Sequence, residues 1–254
     1  FMENELSNDR ASIVPGGRFW IHEAKDEGRK RMTTAPENWT IATPRGEVSA
    51  IFAPAVRPRD VVFVAAPGAG GHKLDRSMIA LTACLNARGV DVVAFDFLYR
   101  ERGSKRPDAM PVLEETFEAV VADVRGRNIA KHLVIGGRSM GGRAASMLAA
   151  RAFECDGLLL VAYPLHPPKQ TEKLRVAHLA DVRAPVLCFN GTRDEFCEPA
   201  LMNEAMSMVG SNWTMHWVAE ADHSMHVLKR SGRTDVEVLD EIGEATSAWL
   251  DALG

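Results

Sequence analysis

Cysteine is scarce in this 254-residue sequence: four residues, at positions 84, 155, 188 and 197, with no C-x-x-C pair and no metal-ligand rhythm. Three of them lie in apolar segments and read as small buried hydrophobes, which argues against a disulfide-stapled fold and suits a reducing compartment. No apolar run approaches the roughly eighteen residues that a membrane span needs. The N-terminus is polar and lacks the apolar core of a signal peptide, and Phe1 ahead of Met2 reads as a residue added before a natural start. The cytoplasm is therefore the expected location. An excess of one charge is missing too: 30 Lys and Arg face 34 Asp and Glu, so nothing draws the chain to nucleic acid. Internal repeats and low-complexity tracts are absent.

The length suits one α/β domain better than two small ones. Residues 1–36 are polar and carry the charged patch "HEAKDEGRKR" (22–31), expected to be a solvated arm or a short surface helix. A single domain is expected over 37–254. There, eight short apolar runs alternate with segments of helical period. The runs are 39–43, 48–54, 60–68, 91–97, 132–137, 157–163, 185–191 and 214–220; the helical segments are 76–89, 113–126, 142–153, 199–210 and 235–253. The central runs are apolar throughout, as parallel strands covered on both faces must be. The pattern predicts a doubly wound, mostly parallel sheet of about eight strands with helices on both faces. The first two runs have no helix between them and are expected to pair as an antiparallel edge hairpin.

One run ends in Gly137-Arg138-Ser139-Met140-Gly141 and leads straight into a helical segment, the context that a G-x-S-x-G nucleophile elbow requires. The bland alternative for Ser139 is a helix N-cap. A serine hydroxyl needs a base to become a nucleophile, and the base needs an acid to orient it. In this kind of sheet both follow the serine, in the order Ser, Asp, His, on turns at the carboxyl ends of later strands. Asp194 follows the run "PVLCFNG", and His223 follows the last run. Glu195 and Asp222 are alternative acids, less well placed by the pattern.

A tetrahedral oxyanion needs two backbone N–H donors. Met140, directly after the serine at a helix N-terminus, supplies one. The glycine-rich turn Pro67-Gly68-Ala69-Gly70-Gly71 after the third run supplies the other, assigned to Ala69. That turn fits neither G-x-x-x-x-G-K-[ST] nor G-x-G-x-x-G, so it is not read as a phosphate loop. His216, His223 and His226 are close in sequence, but no H-E-x-x-H helix accompanies them and no metal is expected.

Over residues 40–254 the chain resembles the α/β-hydrolase superfamily, and within it the small lidless branch that is dienelactone-hydrolase-like. The stretches that carry the resemblance are "PGAGGHK", "FDFLYRERGSKRPD", "GGRSMGGRAAS", "YPLHPP", "LRVAHL", "GTRDEF" and "ADHSM". It implies a triad of Ser139, Asp194 and His223 with oxyanion donors at Ala69 and Met140. It also implies a serine hydrolase of carboxylesterase or thioesterase type, needing no cofactor. Four positions depart from the family. Pro67-Gly68 replaces His-Gly at the oxyanion turn. Leu98 stands where proline is usual, and Cys197 where glycine is. The nucleophile is Ser139, whereas dienelactone hydrolases proper use cysteine.

Only about twenty residues (164–184) separate the sixth and seventh runs, which leaves no room for a lid domain and predicts an open site for a small or protruding ester. Tyr163, His166 and Phe196 follow strand ends and are candidate pocket walls. Arg100, with Arg102, Lys105 and Arg106 in the loop 99–108, is a candidate attractor for a substrate anion. The contrasting class of function is a binding or scaffold module that keeps the fold without the reaction.

Overall fold

The computed structural model describes residues 35–210 and 212–253. The expected arm therefore lies outside the described residues, apart from Ala35 and Pro36. Eight strands form one sheet: β1 (Glu37–Thr43), β2 (Gly46–Ala53), β3 (Val61–Ala66), β4 (Asp91–Phe95), β5 (His132–Arg138), β6 (Gly157–Val161), β7 (Val186–Gly191) and β8 (Trp213–Val218). Their order across the sheet is β1-β2-β4-β3-β5-β6-β7-β8. The first two form the expected hairpin, with Trp39 opposite Ala50, and β2 runs antiparallel to β4. Every later pairing is parallel.

Successive side chains of a strand point to opposite faces, so a strand buried throughout must feed two cores. β3 does so. Val62 and Val64 pack with Phe117, Val121, Ala145 and Leu148. Val61 and Phe63 pack with Met78, Leu81, Leu85, Ile242 and Trp249 on the other face. The first group belongs to the side covered by α3 (Met110–Gly126), α4 (Met140–Ala150) and α5 (Pro199–Ser207). The second lies under α1 (Arg76–Asn86) and α6 (Asp235–Leu253).

The helices differ from the expectation at their ends, α1, α4 and α5 each stopping three residues short, and one helix is added. α3 starts three residues early, at Met110, with Pro111 in its first turn, where the missing proline N–H leaves no hydrogen bond unmade. A one-turn helix, α2 (Leu98–Glu101), occupies the start of what the sequence presents as a loop. It is too short to show a period; burial of Leu98 and Tyr99 holds it, as does the Glu101 carboxylate, which accepts from the Ser49 N–H and hydroxyl at 2.8 and 2.5 Å. Between β6 and β7 the chain makes only one 3-10 turn, at Leu179–Asp181, so no lid covers the carboxyl end of the sheet. Among the described residues no helix is long and apolar enough to cross a membrane.

Candidate active site

The chain leaves β5 at the centre of the sheet and enters α4 through Ser139, whose φ of 47° and ψ of −115° are sparsely populated for any residue with a Cβ. The turn can be this sharp because its flanks are glycine. A Cβ on Gly137 would stand 2.1 Å from the Ala66 carbonyl oxygen, and one on Gly141 would stand 2.3 Å from the same atom. α4 thus starts hard against the end of β3. A hydrogen bond from the Ser139 N–H to the Val161 carbonyl, at 2.9 Å, ties the strained residue to β6.

The three side chains that the sequence distributes over three turns meet in one hydrogen-bonded line. His223 Nε2 lies 2.9 Å from Ser139 Oγ, and its Nδ1 lies 2.9 Å from both oxygens of Asp194. A carboxylate only accepts, so Nδ1 carries the proton and Nε2 is left to accept from the serine hydroxyl. The Asp194 side chain is 0% exposed and is held by the Phe196 N–H on Oδ1 (2.8 Å) and the Asn190 amide on Oδ2 (3.1 Å). Asn190 is fixed in turn by the Tyr163 carbonyl (3.0 Å) and the Tyr163 N–H (3.2 Å). Asp222, an alternative acid, is occupied otherwise: its Oδ1 accepts from Ser224 and His226 N–H groups and closes the turn that presents His223. Glu195 is exposed.

Asn190 and Arg138 are missed by motif reasoning, and each left a trace in the sequence. Asn190 is a polar residue inside the apolar run "PVLCFNG", which marks a buried side chain with partners to satisfy. Arg138 fills a variable position of the elbow motif. Its guanidinium donates to the Ser77 hydroxyl at 2.9 Å and to the His223 carbonyl at 2.8 Å. Burial lowers the Arg138 pKa, and Asp194, Asp222 and Asp75 oppose that shift.

Beside the serine, Gly68 brings the glycine-rich turn 67–71 close: a Cβ there would lie 3.5 Å from Ser139 Cβ. The Gly70 N–H donates to the Tyr99 hydroxyl at 3.1 Å, and the Gly71 N–H to the Gly68 carbonyl at 2.9 Å. Among the described residues nothing takes up the Ala69 or Met140 N–H. Burial raises the Tyr99 pKa, so the phenol is neutral where it receives that bond.

The candidate pocket residues divide. Phe196 is half-buried and lays its ring against His223, centroids 4.2 Å apart. Tyr163 and His166 are not walls: they are 0% and 2% exposed. The Tyr163 hydroxyl donates to the Arg175 carbonyl, while His166 bonds the Pro167 carbonyl through Nδ1 and accepts from the Glu198 N–H through Nε2. Both were expected in the pocket because they follow a strand end, but the chain folds back over them instead. Arg100 is likewise engaged within its own loop, donating to the Ser104 carbonyl at 3.1 Å, and Arg102 grips both oxygens of Asp108 at 2.6 and 2.8 Å. His216 and His226 turn to separate carboxylates, Glu241 at 2.7 Å and Asp235 at 2.9 Å.

The fold that brings these three side chains together is shared with known proteins. A lidless α/β serine hydrolase from Xanthomonas campestris superposes with a TM-score of 0.70 at 19% identity, over 86% of this chain and 96% of that one. An α/β serine hydrolase homologue from Coxiella burnetii gives 0.68 at 19% identity, over 82% and 96%. A dienelactone hydrolase from Anabaena variabilis gives 0.65 at 16%, over 85% and 98%. These likenesses establish the fold. The model of the alpha/beta hydrolase domain matches residues 59–251, most of the chain, and by that match the protein belongs to the alpha/beta hydrolase family.

Proposed function

We propose that this protein cleaves a small carboxylic ester or thioester through an acyl-enzyme on Ser139, with residues 37–254 acting as one unit. The observation that carries the reading is the unbroken line Asp194–His223–Ser139, 2.9 Å at each join, ending on a serine held at positive φ. Ser139 Oγ attacks the acyl carbon while His223 Nε2 takes its proton; the N–H groups of Ala69 and Met140 stabilise the oxyanion that forms. His223 then returns the proton to the leaving alkoxide or thiolate. Water, deprotonated by the same nitrogen, releases the acid and restores Ser139. Asp194 stays ionised and stabilises the imidazolium. With no lid, the scissile bond is reached from solvent, which suits a short or protruding acyl group.

We further propose that the substrate carries an anion away from the scissile bond. The loop cations expected to attract it, Arg100 and Arg102, are tied down. The pair that supports the reading is Lys105 and Arg106, both exposed. The Lys105 carbonyl lies 3.3 Å from a Cβ position on Gly70, so this loop tip touches the oxyanion turn.

The test of the reaction is covalent labelling with a fluorophosphonate probe, mapped by mass spectrometry, with Ser139→Ala and His223→Ala as controls. Labelling at Ser139 that depends on His223 is the expected result. Absence of labelling in folded protein overturns the reading and turns the search to a binding partner.

A further inference from the structure

Resting on that reading, we infer that Lys73 and Asp96 are positioning residues: their buried ion pair sets the oxyanion turn so that the Ala69 N–H faces the acyl oxygen that takes up the negative charge. The turn needs such a device. Residues 67–71 contain three glycines, and Gly70 sits at φ +70°, so the segment has few side chains of its own to fix it. An oxyanion donor, however, must be held within about 0.5 Å of its productive place.

Asp96 stands just past the end of β4, the strand next to β3, and reaches across to the downstream end of the turn. Its Oδ1 accepts from the Lys73 N–H at 2.7 Å and its Oδ2 accepts from Lys73 Nζ at 2.7 Å, with His72 Nε2 standing 2.9 Å from Oδ2. The Leu74 N–H donates to His72 Nδ1 at 3.0 Å, which fixes the ring beside the pair. Lys73 Nζ also donates to the Ser49 hydroxyl at 2.6 Å, and Ser49 leans on Glu101. The pair is deeply placed, with Lys73 8% and Asp96 2% exposed. Buried ion pairs are weak evidence for stability, since an apolar pair of similar volume often does as well. What this one supplies is direction: two donors from one residue, backbone and side chain, grip two oxygens of one carboxylate and fix the strand-to-turn exit.

The experiment compares wild type with Lys73→Met, Lys73→Arg and the double variant Lys73→Met/Asp96→Leu, which removes both charges together should the single change fail to fold. Hydrolysis of a short-chain neutral ester is measured with an alkyl boronic acid as a mimic of the tetrahedral intermediate. Expected for Lys73→Met is a kcat lower by about a hundred-fold, the scale of losing one oxyanion donor. KM should stay within about two-fold, the acid limb of the pH profile should not move, and boronate affinity should fall with kcat. Lys73→Arg should recover most of the loss. Unchanged kcat, or a fall in which boronate affinity is kept, overturns the inference. Amide hydrogen exchange reads the clamp without catalysis: peptides covering 67–75 should exchange faster in Lys73→Met while those covering 137–143 do not. Equal exchange at 67–75 also overturns it. A wild type that neither labels nor hydrolyses would sink the proposed reaction alone, because the exchange measurement still decides the clamp.

Discussion

Arg138 donates a hydrogen bond of 2.8 Å to the backbone carbonyl of His223, so the residue before the strained serine holds the turn that carries the imidazole bonded to it. Two strands, β6 and β7, lie between β5 and β8 in the sheet, and this bond spans them along the top. Arg138→Met should keep the apolar stem and lose the grip. The expected result is a kcat about ten-fold lower with slower fluorophosphonate labelling, as for other losses of an orienting group one step from the chemistry. Labelling at the wild-type rate would show that the Asp222 turn holds His223 unaided.

Asp194→Asn should lower kcat by about ten-thousand-fold with the fold intact, because an amide can present its N–H to Nδ1 and so favour the wrong imidazole tautomer. Asn190→Leu removes one donor from the Asp194 carboxylate and strands the Tyr163 N–H, while the Tyr163 carbonyl keeps its bond from the Leu165 N–H. It should cost about 2 kcal/mol of stability as well as activity. Urea midpoints measured beside kcat separate the two variants.

Thiol chemistry should leave the protein untouched. Burial pushes the Cys155 thiol up to about 12 and raises Cys84, Cys188 and Cys197 too, so little thiolate is present at neutral pH. Iodoacetamide should neither inactivate nor rapidly alkylate the folded protein, whereas a fluorophosphonate should inactivate it. Inactivation by iodoacetamide would point to a cysteine nucleophile.

His178 offers a pH test. Burial lowers its pKa to about 4, with Arg143 adding to the shift and Asp181 opposing it. The unfolded chain therefore binds its proton first, near pH 6.5, and folded stability drops as pH falls from there toward 4. The ring is bonded to the Ser146 hydroxyl at 2.8 Å, which glutamine can still reach. The fall in Tm between pH 6.5 and 4 should be shallower in His178→Gln than in wild type.

Replacing Lys105 and Arg106 with glutamine should raise KM for an anionic monoester by about three-fold, the scale of exposed charge pairs, and leave a neutral ester of equal length unaffected. Equal effects on both esters would remove the anion from the proposal.

The sequence carried the fold because the strands that matter are short, apolar on both faces and separated by helical periods; β3 through β7 are buried nearly throughout. Ser139, Asp194 and His223, which the structure brings into one hydrogen-bonded line, could be singled out because the proposed chemistry fixes both their types and their order. Tyr163 and His166 misled. A position after a strand end says which side of the sheet a residue is on, and nothing about whether later chain folds back over it, as Arg175 and, beyond β7, Glu198 do here. Lys73 and Asp96 were hidden for a related reason: 23 residues apart, they form a pair only because β4 lies beside β3.

Ser139 and His223 hang from very different parts of the sheet. Ser139 leaves β5, flanked by β3 and β6; His223 leaves β8, the outermost strand, paired only with β7 and mostly half-exposed. Edge strands open at lower free energy than central ones. Warming should therefore detach the imidazole before the surroundings of Ser139 melt, and activity should disappear some degrees below the main calorimetric transition. Ageing of the enzyme would then begin as a reversible fraying at one margin, with the strained serine still poised at the centre.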